Sequence, residues 1–176
     1  MAENMDVNVE VWPVAADAVG LWLLAPDAYR PPLAVPSDSD PHAEVELMLA
    51  GKGLAANGPH LALLHSTSWR AEGTSVVVTY IAVASCAGAI LDHWPNAQPI
   101  DADLARHVGQ PPAHGPTAVP IPRHIDVLFH ALRHLRFLVD TDAVTRRALA
   151  GDFGRHLSDL TPELARMYEA PGIQAA

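Results

Sequence analysis

"AEVELMLAGKGL", residues 43–54, decides how this chain is read, because it is a helix set between two groups of strands. It is entered from the polar stretch "SDSDP", in which Asp40 is a candidate N-cap and Pro41 fits the first turn, where a missing N–H costs no hydrogen bond. Gly53 marks its end. Upstream, "VNVEVWPV" alternates Val7, Val9 and Val11 with Asn8, Glu10 and Trp12, the period of a half-buried strand. "AVGLWLLA", residues 18–25, is more continuously apolar, and Pro13 with the Ala/Asp residues after it predicts a turn and an antiparallel pair. "PDAYRPPLAVPSDSDP" then reads as loop. Downstream, "HLALLHSTSW" and "SVVVTYIAVAS" are apolar, β-branched segments joined by "RAEGT", which predicts a hairpin.

Beyond the hairpin the pattern changes. Residues 110–122, "QPPAHGPTAVPIP", are proline-dense and predict an extended or looped connection. "HIDVLFHALRHLRFLV" then places Ile125, Leu128, Phe129, Leu132 and Leu135 on one stripe of an amphipathic helix. "DTDAVTRRALAG" and "DFGRHLSDL" continue the helical character, and "TPELARMY" predicts a further helix with Thr161 as N-cap and Pro162 at its first position. Strands, helix, strands and a helical tail together predict an α+β fold with a mixed β-sheet and additional C-terminal helices. The length of 176 residues fits a single domain. Its sheet and helix are expected over residues 6–94, the proline-rich connection over 95–122 and the helical extension over 123–170.

Charge excludes one large class of partner. Eleven Lys and Arg stand against 20 Asp and Glu, a formal net charge of −9, so the chain lacks the basic footprint that neutralises phosphates, and no nucleic-acid partner is expected. Ten histidines make that balance sensitive to pH near about 6.5. The single cysteine, Cys86, excludes an internal disulfide and a cysteine zinc cluster; within an apolar run it reads as a small buried hydrophobe. "MAENMDVNVEVW" has neither a positive n-region nor an apolar h-region, and no apolar run reaches about 18 residues. The expectation is a cytoplasmic protein with no membrane partner.

The order helix, Gly53-Leu54, strand, Ser68-Trp69-Arg70, charged turn, strand resembles the Nudix superfamily, from its signature helix into the strands that follow. The resemblance covers residues 7–86, about half of the chain, and is anchored on Gly53-Leu54 and the order of elements. It implies a fold with a Nudix-like helix and, in the family, Mg²⁺-assisted attack of water on a diphosphate. Carried over from Gly53-Leu54, however, the signature arginine falls on Glu46 and the three signature glutamates on Leu47, Ala50 and Gly51. An earlier motif glutamate falls on Asp38 and the leading glycine on Pro32. Magnesium requires hard oxygen ligands, which Leu47, Ala50 and Gly51 do not carry on their side chains. The helix's own acids, Glu44 and Glu46, are about 200° apart around the axis and cannot serve one site.

Two other groups of residues have the right chemistry for binding. His65, Trp69, Arg70 and Tyr80 lie on the predicted hairpin; Trp69 and Tyr80 are candidates to flank a ligand and Arg70 to pair with a phosphate or carboxylate, against the plainer reading of core and surface-pair residues. Asp126, His130 and His134 recur every fourth residue opposite the apolar stripe. A metal pair at that spacing is geometrically available, but "HALRH" lacks the glutamate of a zinc-peptidase helix and Arg133 would repel a cation, so a polar or interface-facing stripe is expected and no metal. No Gly-x-Ser-x-Gly elbow is present for a serine hydrolase.

The expected function is that of a non-hydrolytic Nudix-like protein, binding a small-molecule or nucleotide-like ligand or serving as a scaffold, without a cofactor. One alternative is a divergent Mg²⁺-dependent hydrolase of nucleoside diphosphate-linked substrates with displaced ligands such as Asp38, Glu44 or Glu72. A second is an oligomeric interaction module, its helical tail, with Arg133, Arg136, Arg146, Arg147 and Arg155, forming a homodimer surface.

Overall fold

β1 (Asp6–Ala16) is the strand around which the rest is arranged. The structure, a computed structural model, describes residues 6–25, 32–52, 54, 61–72, 74–85, 88–101, 103 and 123–164. In these, β1 is followed by β2 (Leu21–Leu23), β3 (Leu33–Val35), α1 (Pro41–Gly51), β4 (Leu61–Glu72), β5 (Ser75–Ala84), α2 (Ile90–His93), β6 (Gln98–Pro99), α3 (His124–Thr141), α4 (Ala143–Ala148) and α5 (Asp152–Leu157). The strands form one mixed sheet in the order β4-β5-β1-β2-β6, with β3 also paired to β1. β5 runs parallel to β1, while β2, β3 and β4 make antiparallel pairs. The chain is therefore α+β with a mixed sheet, as the alternation of segments predicts. None of the described helices is long and apolar enough to cross a membrane.

Both faces of the sheet are covered, and this overturns the reading of β1 as a half-buried strand. Val9, Val11 and Ala15 share one core with Val45 and Leu49 of α1, while Trp12 and Val14 share the other with α3, α5 and Leu149, which follows α4. Residues 9 to 15 are consequently buried without a break, Glu10 and Trp12 included. Helices on both faces remove the solvent side that alternation would otherwise mark.

Pro13 does not make a turn. It lies inside β1, in register with Ala82, and its carbonyl accepts a hydrogen bond from Leu24 N at 2.9 Å. N–H and C=O of one strand residue face the same edge, so the donor that proline lacks falls between β3 and β2 and costs no bond to β5. The turn comes later, at Asp17–Gly20. The Asp17 carboxylate accepts from Val19 N and Gly20 N at 2.9 and 3.1 Å and from Trp22 Nε1 at 3.0 Å. Burial works against the Asp17 charge, but these donors outweigh it and hold the carboxyl below its usual value. The expected antiparallel pair thus forms, through a turn four residues further on.

The β4–β5 hairpin forms as predicted, with Glu72 opposite Ser75. Register shifts interrupt β4 between Leu61 and Leu63 and between Ser66 and Ser68. The second leaves Thr67 buried, its hydroxyl directed to the Thr79 carbonyl at 3.4 Å. α3 lays Val127, Leu128, Ala131, Leu132 and Leu135 on the sheet, and α5 adds Phe153 and Leu157. Gly151, at φ +93°, makes the α4–α5 corner in a backbone conformation suited to glycine.

No helix begins at Thr161 within the described residues. Residues 161–164 lie along α3 instead, with Glu163 N bonded to Arg133 O at 3.1 Å. Gly53, Cys86 and the stretch 110–122 lie outside the described residues.

Candidate functional site

α1 is seated as the sequence predicts. The Asp40 carboxylate caps it, accepting from His42 N at 2.8 Å, with Pro41 at the start. Val45 and Leu49, one turn apart, point into the core shared with Val9, Val11 and Tyr80, and each contributes about 1.5–3 kcal/mol by leaving water. Leu54 closes the end by bonding its amide to Leu49 O at 2.7 Å and burying its side chain.

That seating decides what the other positions of α1 present. Leu47 is 67% exposed, and Ala50 and Gly51 are exposed beside it. The edge that carries Leu47, Ala50 and Gly51 is apolar, with His42 exposed and Glu46 partly exposed beside it. Of the two acids, Glu46 lies 3.8 Å from the His42 ring across one turn. Glu44 sits in the first turn, where the helix dipole favours a carboxylate. A magnesium ion on this edge would find no side-chain oxygen at positions 47, 50 or 51, so the donor set does not fit the ion.

The four hairpin residues fall on two different faces. His65 and Arg70 lie opposite Ile81 and Val77 and face α3; Trp69 and Tyr80 belong to the α1 side, Trp69 opposite Val78. Tyr80 is buried beneath His42, ring centroids 5.7 Å apart. Burial pushes its hydroxyl pKa up, and Asp40 adds to the shift. Trp69 is 56% exposed. Trp69 and Tyr80, the two expected to flank a ligand, therefore share the α1 face, while His65 and Arg70 lie on the other.

Arg70 is already engaged. It donates to Glu10 through both terminal nitrogens and to Glu72 through Nε at 2.6 Å, and Thr79 Oγ1 donates to Glu10 Oε1 at 2.7 Å. Burial opposes the Arg70 charge, but Glu10 and Glu72 outweigh it and raise its pKa. Glu10 is the residue that periodicity assigns to solvent. Its burial follows from the helices on that face, and the acid at a β1 position facing Thr79 is what calls for the arginine.

The stripe Asp126, His130 and His134 is likewise not an outward face: all three are buried. Segment 161–164 and β4 cover the side that the helical wheel leaves open. Arg123 clasps Asp126 from Nε and Nη2 at 2.8 and 2.6 Å, and this pairing raises the pKa of Arg123. His130 Nδ1 stands 3.4 Å from Glu163 Oε2. His134 reaches His65 with Nε2 and the Glu163 carbonyl with Nδ1, both at 3.3 Å. Asp126 is thus held by Arg123, whereas His130 and His134 both meet Glu163, through its carboxylate and its carbonyl respectively. Among the described residues no group of three or more metal-binding side chains converges.

Comparison of the chain with family models, with curated proteins and with solved structures finds no match.

Proposed function

We propose that this chain is a non-hydrolytic, Nudix-like binding protein, in which the edge of α1 that would hold a metal in a hydrolase is given over to apolar contact. The observation that carries the reading is the exposure of Leu47, Ala50 and Gly51 on a helix whose cap and buried face are otherwise complete. Without carboxylates at those positions, a divalent cation has nothing to neutralise or polarise a diphosphate from this helix. A small, flat, uncharged ligand suits the α1 side better than a phosphate. Trp69 offers its ring there, while Arg70 lies on the other face, neutralised by Glu10 and Glu72.

The test is a panel of nucleoside diphosphate-linked compounds incubated with the full chain and Mg²⁺ or Mn²⁺, with phosphate release as the readout. The expected result is release at the rate of the protein-free control. Metal-dependent turnover that disappears in Glu44→Gln or Asp38→Asn would replace this reading with that of a hydrolase using displaced ligands.

A further inference from the structure

His65 on β4 and His134 on α3, 69 residues apart in sequence, bring their Nε2 atoms to 3.3 Å, with ring centroids 5.4 Å apart. Two arrangements put imidazole nitrogens at such a distance. One is an N–H···N hydrogen bond, for which the separation is slightly longer than the usual range of about 2.7–3.2 Å for a nitrogen donor. The other is a shared cation, because two nitrogens each about 2.0–2.1 Å from a tetrahedral ion stand about 3.3 Å apart.

The second ring nitrogen of His134 fixes what its Nε2 can offer in either arrangement. Nδ1 faces the Glu163 carbonyl oxygen at 3.3 Å, and a carbonyl only accepts, so the proton of a neutral ring sits on Nδ1 and Nε2 presents a lone pair to His65. A histidine that binds a metal donates its other N–H to a carbonyl or carboxylate in this manner. Glu163 is itself positioned for the task, its amide bonded to Arg133 O at 3.1 Å and its Oε2 lying 3.4 Å from His130 Nδ1. Arg133, the cation beside His134 in sequence, directs Nη1 toward the same Glu163 carboxylate at 3.8 Å. Burial, acting first, holds both His65 and His134 below the ordinary histidine value, so each is a neutral potential ligand at neutral pH.

We propose that His65 and His134 form a two-histidine site for a divalent transition ion of the zinc type, its remaining positions open to water or an exogenous ligand. Imidazole suits zinc, copper and nickel, whereas magnesium prefers oxygen, so this site is chemically separate from anything α1 could hold and does not rest on the reading of that helix.

The experiment is a titration of the untagged full chain with zinc chloride, followed by ¹H–¹⁵N spectra of the histidine rings. One equivalent should move the Nε2 resonances of His65 and His134 together and leave the His134 Nδ1–H in place. Magnesium at a hundredfold excess should not compete. His65→Gln, on a half-buried strand position, should weaken zinc binding at least tenfold while melting close to the parent without metal; His42→Gln should bind as the parent does. His65→Gln carries the test if His134→Gln does not fold. A His65 Nε2–H that stays bonded to His134 in excess zinc, or zinc binding unchanged in His65→Gln, overturns the proposal in favour of a simple hydrogen bond.

Discussion

Arg70 and Glu10 meet across the full width of β5, through two parallel hydrogen bonds: Nη1 to Oε1 at 2.5 Å and Nη2 to Oε2 at 2.9 Å. The pair ties edge strand β4 to β1, two strands away, inside a face that excludes water from Glu10. A charge buried with its partner costs little net, but a charge stranded by removal of that partner costs much more.

Arg70→Ala is therefore expected to destabilise the fold by about 3–5 kcal/mol, the range for breaking a buried pair. Glu72→Ala should cost no more than about 1 kcal/mol, because Glu72 keeps a third of its side chain in water and leaves the Glu10 pair intact. Urea denaturation of the two variants checks the ranking. Equal losses would show that Glu10 is not the group the arginine serves.

The histidine pair predicts the acid limit of stability. Burial comes first among the causes that hold His65 and His134 below the usual value, so the unfolded chain takes up protons near pH 6.5 that the folded chain refuses. Their neutral forms thus favour folding fully above about pH 6.5, and that contribution is lost as pH falls toward the lower folded values. With chelator present, the melting temperature should be level from pH 8 to 7 and decline from 6.5 to 5, less steeply in His65→Gln. A parent melting temperature that does not change down to pH 5 would contradict this.

Gly154 predicts a steric effect with a built-in control. A Cβ at this position would lie 2.7 Å from the Leu149 carbonyl oxygen, a backbone atom that cannot swing aside, whereas one at Gly51 would meet nothing within 4 Å. Gly154→Ala should cost about 1–3 kcal/mol as overpacking. Gly51→Ala, at the last position of α1, should be neutral or stabilising by up to about 1 kcal/mol through helix propensity. Thermal unfolding of both variants decides, and a neutral Gly154→Ala would mean that α5 sits further from Leu149.

The contrast between what periodicity reveals and what it conceals is visible residue by residue. α1, the β4–β5 hairpin and the apolar stripe of α3 were legible because caps, turn residues and spacing are local signals. Alternation puts Glu10 and Trp12 on a wet face, and nothing near β1 in sequence announces that α3 and α5 cover it. Pro13 reads locally as a turn because which edge lacks a donor depends on pairing partners that come later in the chain. The short pairing of β6 with β2 and the helix at Ile90–His93 had no pattern long enough to read. Of the candidate site, residue chemistry was legible and grouping was not. His65, Trp69, Arg70 and Tyr80 are close in sequence and separate onto two faces, while His65 and His134 are distant in sequence and meet.

The proposed function depends most on the edge of α1 being unable to hold a hard cation. Manganese, which shares magnesium's preference for oxygen and broadens the amide signals around any site it occupies, tests this directly. In ¹H–¹⁵N spectra of the full chain with Mn²⁺ at half an equivalent, the amides of residues 43–51 are predicted to keep their intensity. Selective loss of the Glu44, Leu47 and Met48 signals, reversed by excess Mg²⁺, would place an ion against this helix and contradict the proposed function.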